Sequence, residues 1–183
     1  RSGLTAARLF ERCGLLGDSH EYHLGRFVHE FFPRGLAFPP HPVPEPVADL
    51  PLAECAAFSL DDAGTTEIDD AFSVTRVSDD ELRIGIHIAA PGLAIAPGSP
   101  LDAIARDRLS TAYMPGRKFT MLPEDAIAPL SLDEGTERPA LSLYLVVGAK
   151  DFELRGRLTK LERIKVAANL RHGTHDALND AFE

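Results

Sequence analysis

The sequence predicts an α+β fold, a mixed β-sheet flanked by helices and preceded by a small helical module. Three observations carry that expectation. Apolar residues recur at helical spacing before residue 32, seven prolines crowd between Pro33 and Pro51, and beyond them apolar residues alternate with a period of two.

Taken in order, Thr5 caps a first helix through Leu9, Phe10 and Cys13 that stops at Gly14 to Gly17. Asp18 with Glu21 opens a second helix in the manner of a capping box, and Leu24, Phe27, Val28 and Phe31 line one face of it. A helix-turn-helix reader of nucleic acid is one interpretation of this pair. Its arginines (Arg1, Arg8, Arg12, Arg26, Arg34) are nearly balanced by Glu11, Asp18, Glu21 and Glu30, however, and a reader needs a basic footprint. A plain packing element is the better reading. The prolines that follow remove amide donors and favour extended chain, which makes residues 33–51 a semi-rigid linker.

Cys55 to Leu60 and Ala71 to Val77 read as strands. Leu82 to Ala89 alternates cleanly, with Leu82, Ile84, Ile86 and Ile88 on one face and Arg83, Gly85 and His87 on the other. Ser78-Asp79-Asp80 turns the second of these strands into the third. Ser99 then caps a helix with Pro100 at its first position and Leu101, Ile104, Ala105 and Leu109 on its inner side. Strands resume at Leu141 to Val147 and from Phe152 to about Val166, and Thr174 caps a last short helix. The domain expectation is a helical module over residues 1–32, the linker over 33–51, and the α+β portion over 52–183.

Bulk properties narrow the function classes. The 183 residues are 44% hydrophobic and 26% charged, as in ordinary soluble domains. No apolar run approaches the ~20 residues of a membrane span, and no secretory signal opens the chain, so no membrane partner is expected. Cys13 and Cys55 have neither metal-ligand nor redox spacing and fit a reducing cytoplasm. A net charge of −9 argues against a general nucleic-acid coat protein, which needs cations for phosphates. It leaves room for an enzyme that meets phosphates through metal ions. Opening on Arg1 instead of methionine, the chain reads as a piece of a longer product.

Chemistry concentrates at Asp61 to Asp70, DDAGTTEIDD, where five carboxylates fall within ten residues. Like charges at that density repel, and each resists leaving water unless neutralised. Apolar residues frame the run on both sides: Ala56, Ala57, Phe58 and Leu60 before it, Ala71, Phe72 and Val74 after it. A divalent cation held by hard oxygen ligands answers that arrangement, with Mg²⁺ the leading candidate. A solvated acidic turn is the alternative. The EF-hand register is missing, and so are zinc spacings, a Ser-His-Asp arrangement and a Gly-rich phosphate loop. His87 falls on the polar face of its strand and the other histidines are scattered.

In order along the chain, these residues resemble the catalytic domain of the ribonuclease II and ribonuclease R family, the RNB exoribonucleases. That family carries the spacing D-x5-D-x-D-D, matched here by Asp61, Glu67, Asp69 and Asp70. Further pieces follow in family order: IGIHIAAP at Ile84 to Pro91, Leu101-Asp102 with Ala105-Arg106, Thr111 to Pro115, Met121-Leu122-Pro123, Ser131-Leu132 and Arg138-Pro139. The match covers roughly residues 52 to 170. It departs from the family pattern at Glu67 and Ala90, where the family usually has Asp. Helices stand where cold-shock-type barrels are expected, and the later half of the family domain, with a base-stacking aromatic and an arginine-containing segment, lies outside the chain.

The resemblance implies a metal-dependent hydrolytic exoribonuclease acting from the 3′ end of single-stranded RNA and releasing nucleoside 5′-monophosphates. Mg²⁺ is the implied cofactor, with Mn²⁺ a possible substitute, and the implied partners are single-stranded RNA and the remainder of the same enzyme. Asp61 and Asp70, at facing strand ends, are the leading ligands. Asp69 orients a second metal or the attacking water, and Glu67 completes the shell directly or through water. Tyr113 would stack on the nucleotide near the 3′ end, and Arg106, Arg117 and Lys118 around it would meet phosphates. Arg155, Arg157, Lys160, Arg163 and Lys165 either guide the RNA backbone or form a solvated face; Arg138 either supports the carboxylates or makes a structural ion pair. Two rivals remain: an RNA-binding pseudoenzyme or regulatory adaptor with the same fold, and a Ca²⁺-binding structural module.

Overall fold

The computed structural model describes residues 3–17 and 19–172, which form two compact units. The helix expected after Thr174 lies outside the described residues.

The first unit joins the chain up to Pro40 with Ser110–Met121. Helix α1 (Gly3–Arg12) ends as its sequence requires. Gly14 takes φ +68° while Leu15 N–H donates to Phe10 O and Gly14 N–H to Glu11 O, a Schellman closure that glycine makes without steric cost. Helix α2 (Ser19–Phe31) follows, with Glu21 reaching back to accept Gly17 N–H at 2.8 Å. Asp18's half of the expected capping box lies outside the described residues. Two short strands complete the unit: β4 (Ala112–Met114) and β5 (Arg117–Phe119), turning at Gly116 with φ +73°. Phe119 is buried, with the rings of Phe27 and Phe32 each 5.5 Å away between centroids. Aromatic packing therefore binds the end of α2 to a hairpin nearly a hundred residues downstream.

The second unit holds His41–Leu109 and the chain from Leu122 onward. Its strands are β1 (Leu52–Asp61), β2 (Asp70–Ser78), β3 (Glu81–Ala89), β6 (Glu137–Gly148) and β7 (Leu154–Arg171). The sheet is mixed, as expected, and it closes into a barrel in that order. Closure depends on β7, which runs for 18 residues. Its first part pairs antiparallel with β6 (Leu143↔Thr159), and its last part pairs parallel with β1 (Phe58↔Ala168, Asp61↔Arg171). The second half of the proline-rich segment lies against this unit: Pro44 is buried, His41 Nε2 bonds Asp125 Oδ1 at 3.0 Å, and Arg163 donates to the carbonyls of Leu50 and Pro51.

Helix α3 (Pro100–Arg108) begins as read from sequence: Ser99 Oγ accepts Asp102 N–H, and Asp102 Oδ2 accepts Gly98 N–H. Leu101 and Ile104 are buried. Leu109 departs from its expected inner position. It caps the helix at φ 64° and is 79% exposed, because the backbone leaves helical geometry there. Helix α4 (Glu124–Ile127) leads toward β6. Among the described residues no helix is long and apolar enough to cross a membrane.

The polar face of β3, on which His87 falls, points inward. A five-stranded barrel has a narrow interior, filled here by small residues: Ala57, Ser59, Ala71, Ser73, Gly85, Ala140 and Ser142. His87 is fully buried among them, with Nδ1 bonded to Ser142 Oγ at 2.8 Å and Nε2 to Ser73 Oγ at 2.9 Å. Tyr144 donates to Glu162 Oε1 at 2.6 Å in the same interior. The apolar partners of these rows, including Val74, Ile88 and Leu141, face outward and are exposed.

Two outcomes follow from that interior. A Cβ at Gly85 would meet Ser73 Oγ and lie 2.6 Å from His87 Nε2. Gly85→Ala should therefore destabilise the protein by about 1–3 kcal/mol, read from denaturant midpoints. Burial pushes the His87 pKa below its ordinary 6.5, against an opposing pull from Glu162. Below pH 6.5 the unfolded chain binds the proton more readily than the folded one, so His87's contribution is complete above pH 6.5 and declines as pH falls toward the folded pKa. His87→Gln should flatten the acid side of the stability profile, and parallel curves for parent and variant between pH 7.5 and 5 would contradict it.

Candidate metal and RNA site

The acidic run sits at one end of the barrel. Asp61 is the last residue of β1, Asp70 the first of the antiparallel strand β2, and residues 62–69 connect them. Thr65 N–H donates to Asp62 O to form a tight turn. The connection is then pinned by Ile68, which is 2% exposed and packs in the core with Leu132, Ala57, Ala71, Ile164 and Val166. Ile68 N–H donates to Ser131 Oγ at 3.0 Å, and its carbonyl accepts Leu132 N–H at 2.9 Å. Asp69 O accepts Ala89 N–H at 2.8 Å. A buried isoleucine thus fixes the backbone between Glu67 and Asp69. Glu67 is half-buried, while Asp62, Asp69 and Asp70 are exposed.

Asp61 is the most embedded of the aspartates. Ser59 Oγ donates to its Oδ2 at 2.5 Å, Arg171 Nη1 lies 3.9 Å from the same oxygen, and His172 N–H donates to its main-chain carbonyl. Arg138 approaches the loop anchor indirectly, Nε donating to Ser131 O at 3.3 Å.

The expected RNA contacts divide between the two units. Tyr113, Arg117 and Lys118 belong to the β4–β5 hairpin of the first unit, Arg106 to α3 of the second. Tyr113 is 75% exposed, with Lys118 Nζ 5.9 Å from its ring centre. Arg106 pairs with Asp102 at 2.9 Å. The Asp102 carboxyl is held below its usual range, first by Gly98 N–H and then by that guanidinium. On β7, Arg155 pairs with Glu81 and Asp151, and Arg163 with Glu137.

Among the described residues no three His, Cys, Asp or Glu side chains converge as a metal shell would require. The donor set nevertheless suits Mg²⁺, which typically takes one or two carboxylates and fills its octahedron with water and substrate phosphate oxygens. Asp61, Glu67, Asp69 and Asp70 offer only hard carboxylate oxygens.

Comparison with known proteins decides the family. The RNB domain family matches residues 50–179, well over half of the chain. The chain belongs to the RNB family. Exoribonuclease 2 of Serratia proteamaculans is 40% identical over 111 residues, which cover 58% of this chain and 17% of that relative. Exoribonuclease 2 of Aeromonas hydrophila is 34% identical over 139 residues, covering 74% of this chain and 20% of the relative. This RNB chain thus spans a fifth or less of the length of both. Two solved structures share the fold. Yeast Ssd1, described as a pseudonuclease, superposes with a TM-score of 0.65 at 23% identity, covering 70% of this chain and 17% of its own. Mycoplasma genitalium RNase R, solved with ribose-methylated single-stranded RNA, gives 0.64 at 18% identity, covering 75% and 22%.

Sequence reasoning missed three residues that organise this RNB site: Ser59, Ser131 and Asn169. Ser59 carried a weak signal, as a polar residue in the otherwise apolar stretch Ala56–Leu60, while Asn169 stands in a strand already rich in charged residues and carried none. Ser131 was noted only as part of the resemblance. Its role depends on reaching across 63 residues to Ile68, and no local pattern announces that. Ser131→Ala would orphan the buried Ile68 N–H and cost about 1–3 kcal/mol locally. Faster amide hydrogen exchange at Ile68 than at the barrel strands is the expected result.

Proposed function

We propose that the protein to which this chain belongs is a metal-dependent hydrolytic exoribonuclease. It removes nucleoside 5′-monophosphates from the 3′ end of single-stranded RNA. The observation that carries this reading is the acidic run of an RNB chain held at one barrel end, its backbone pinned by Ile68 between Glu67 and Asp69. Phosphodiester hydrolysis needs an activated water, neutralised phosphate charge and a stabilised leaving 3′-oxygen, which Mg²⁺, or Mn²⁺ in its place, supplies when bound. Asp61, Glu67, Asp69 and Asp70 would hold the ion, with Asp69 orienting the attacking water. Tyr113 would stack on the terminal nucleotide, and Arg106, Arg117 and Lys118 would meet the backbone phosphates. The remainder of the same enzyme, in this chain's continuation or as a separate polypeptide, completes the catalytic domain. The two free cysteines fit a cytoplasmic enzyme.

A second reading is an RNA-binding adaptor without hydrolysis. Glu67 and Ala90 at family Asp positions favour it, as does the fold shared with a protein described as a pseudonuclease. Substituting Asp69→Asn in the full-length protein separates the two. The expected outcome is a hundredfold or greater fall in mononucleotide release, on the order of one lost proton-transfer or metal-orienting group, with RNA binding retained. A parent protein that binds labelled RNA and releases nothing in Mg²⁺ decides for the adaptor.

A further inference from the structure

We infer that Asn169 is a positioning residue for Asp61, acting through Ser59 to set which oxygen of that carboxylate is free for a cation. The inference rests on the metal-binding reading above and deepens it.

The argument is one of hydrogen-bond direction. The carboxamide of Asn169 is caught between partners that can act in only one sense. Its Oδ1 lies 2.7 Å from the backbone N–H of Glu134, which can only donate. Its Nδ2 lies 3.1 Å from the carbonyl of Leu132, which can only accept. The amide therefore cannot be turned over without losing both bonds. Asn169 is itself held in place, its own N–H donating to Glu134 Oε2 at 3.1 Å.

With that orientation settled, the remaining Nδ2 hydrogen points to Ser59 Oγ at 2.8 Å. Ser59 is fully buried at this point of β1. Its hydroxyl accepts from Asn169, so its single hydrogen is directed to Asp61 Oδ2, 2.5 Å away. Each donor thereby polarises the next, and the chain ends on a carboxylate. Arg171 Nη1 approaches the same oxygen, at 3.9 Å. The described contacts of the Asp61 side chain thus fall on Oδ2, which leaves Oδ1 as the oxygen a cation would take. Outer partners that orient a ligating carboxylate in this way commonly carry a 10–100-fold effect on metal affinity.

Barrel closure makes this chain of donors possible. The parallel register sets Ser59 against Asn169 and Asp61 against Arg171. The relay crosses one strand boundary and runs two residues along β1 to the acidic run.

The test uses the full-length protein and Mg²⁺ alone, titrated by calorimetry without RNA, with parent, Asp61→Asn, Ser59→Ala, Ser59→Thr and Asn169→Asp compared. Asn169→Asp keeps the size and the acceptor for Glu134 N–H but loses the donor to Ser59. Ser59→Ala and Asn169→Asp are expected to weaken Mg²⁺ binding about 10–100-fold, and Ser59→Thr, which retains the hydroxyl, to stay near the parent. In RNA hydrolysis the same two variants should need more Mg²⁺ for half-activity while approaching parent turnover at saturation, a split that general damage to the fold would not produce. If Asp61→Asn abolishes Mg²⁺ binding while Ser59→Ala leaves it unchanged, the positioning role is overturned and the metal reading stands. If Asp61→Asn leaves Mg²⁺ binding unchanged, the metal reading itself fails at Asp61. Should Asn169→Asp not fold, Ser59→Ala, which deletes one hydroxyl and creates no charge, decides alone.

Discussion

The parallel pairing of β1 with the end of β7 is the constraint on which the rest of the second unit depends. Without it the five strands would form an open sheet with β1 and β7 as unpaired edges, and each edge would expose a row of main-chain donors and acceptors. Pairing removes both edges at once. It also does chemical work, because strands far apart in the chain deliver Ser59, Asn169, Asp61 and Arg171 to one place. An antiparallel return could not do this with the same connections, since β7 already runs antiparallel to β6.

Closure with only five strands forces a second property, a narrow interior in which small residues share the space with a few larger ones. Serines, alanines and a glycine occupy many of the inward positions beside the buried Ile164 and Val166, and the His87 imidazole fits because Gly85 and Ser73 leave it room. A buried histidine with two hydroxyl partners has both ring nitrogens satisfied in its neutral form, so burial costs little in unmet hydrogen bonds. Tyr144 obeys the same logic. Burial and its bond to Glu162 both favour the protonated phenol, which lets it donate to the carboxylate. The polarity that usually marks a surface face here marks the inside, and the isoleucines and leucines of β3 and β6 face outward in its place.

Local chemistry was legible in the sequence; long-range pairing was not. The Ser99 cap with Pro100, the stop at Gly14, the turn at Ser78 to Asp80 and the alternation of Leu82 to Ala89 all depend on neighbours a few residues apart, and each appears where the sequence indicated. The α+β class followed from them. Barrel closure depends on β1 meeting β7, more than a hundred residues away, and alternation is blind to which face turns inward. That is why the polar face that carries His87 could not be assigned to the interior from the sequence. The acidic run itself was plain in the sequence because its charge density is extreme. The Ser131 and Asn169 bonds that organise it were not, because their partners are Ile68, Ser59, Leu132 and Glu134, each brought near only by the fold.

The way the acidic connection is anchored bears on what the carboxylates are for. Its described fixings are the buried Ile68 side chain, the Ser131 hydroxyl, and main-chain bonds through Asp62 O, Ile68 O and Asp69 O. Asp61 adds a carboxylate to them: its Oδ2 accepts from Ser59 Oγ and lies 3.9 Å from Arg171 Nη1. Five acids in ten residues repel one another at neutral pH, and the Arg171 guanidinium lies beside one of them, Asp61. Under the metal-binding reading proposed above, a divalent cation is the partner that would offset that repulsion, because Asp61, Glu67, Asp69 and Asp70 offer hard oxygen donors.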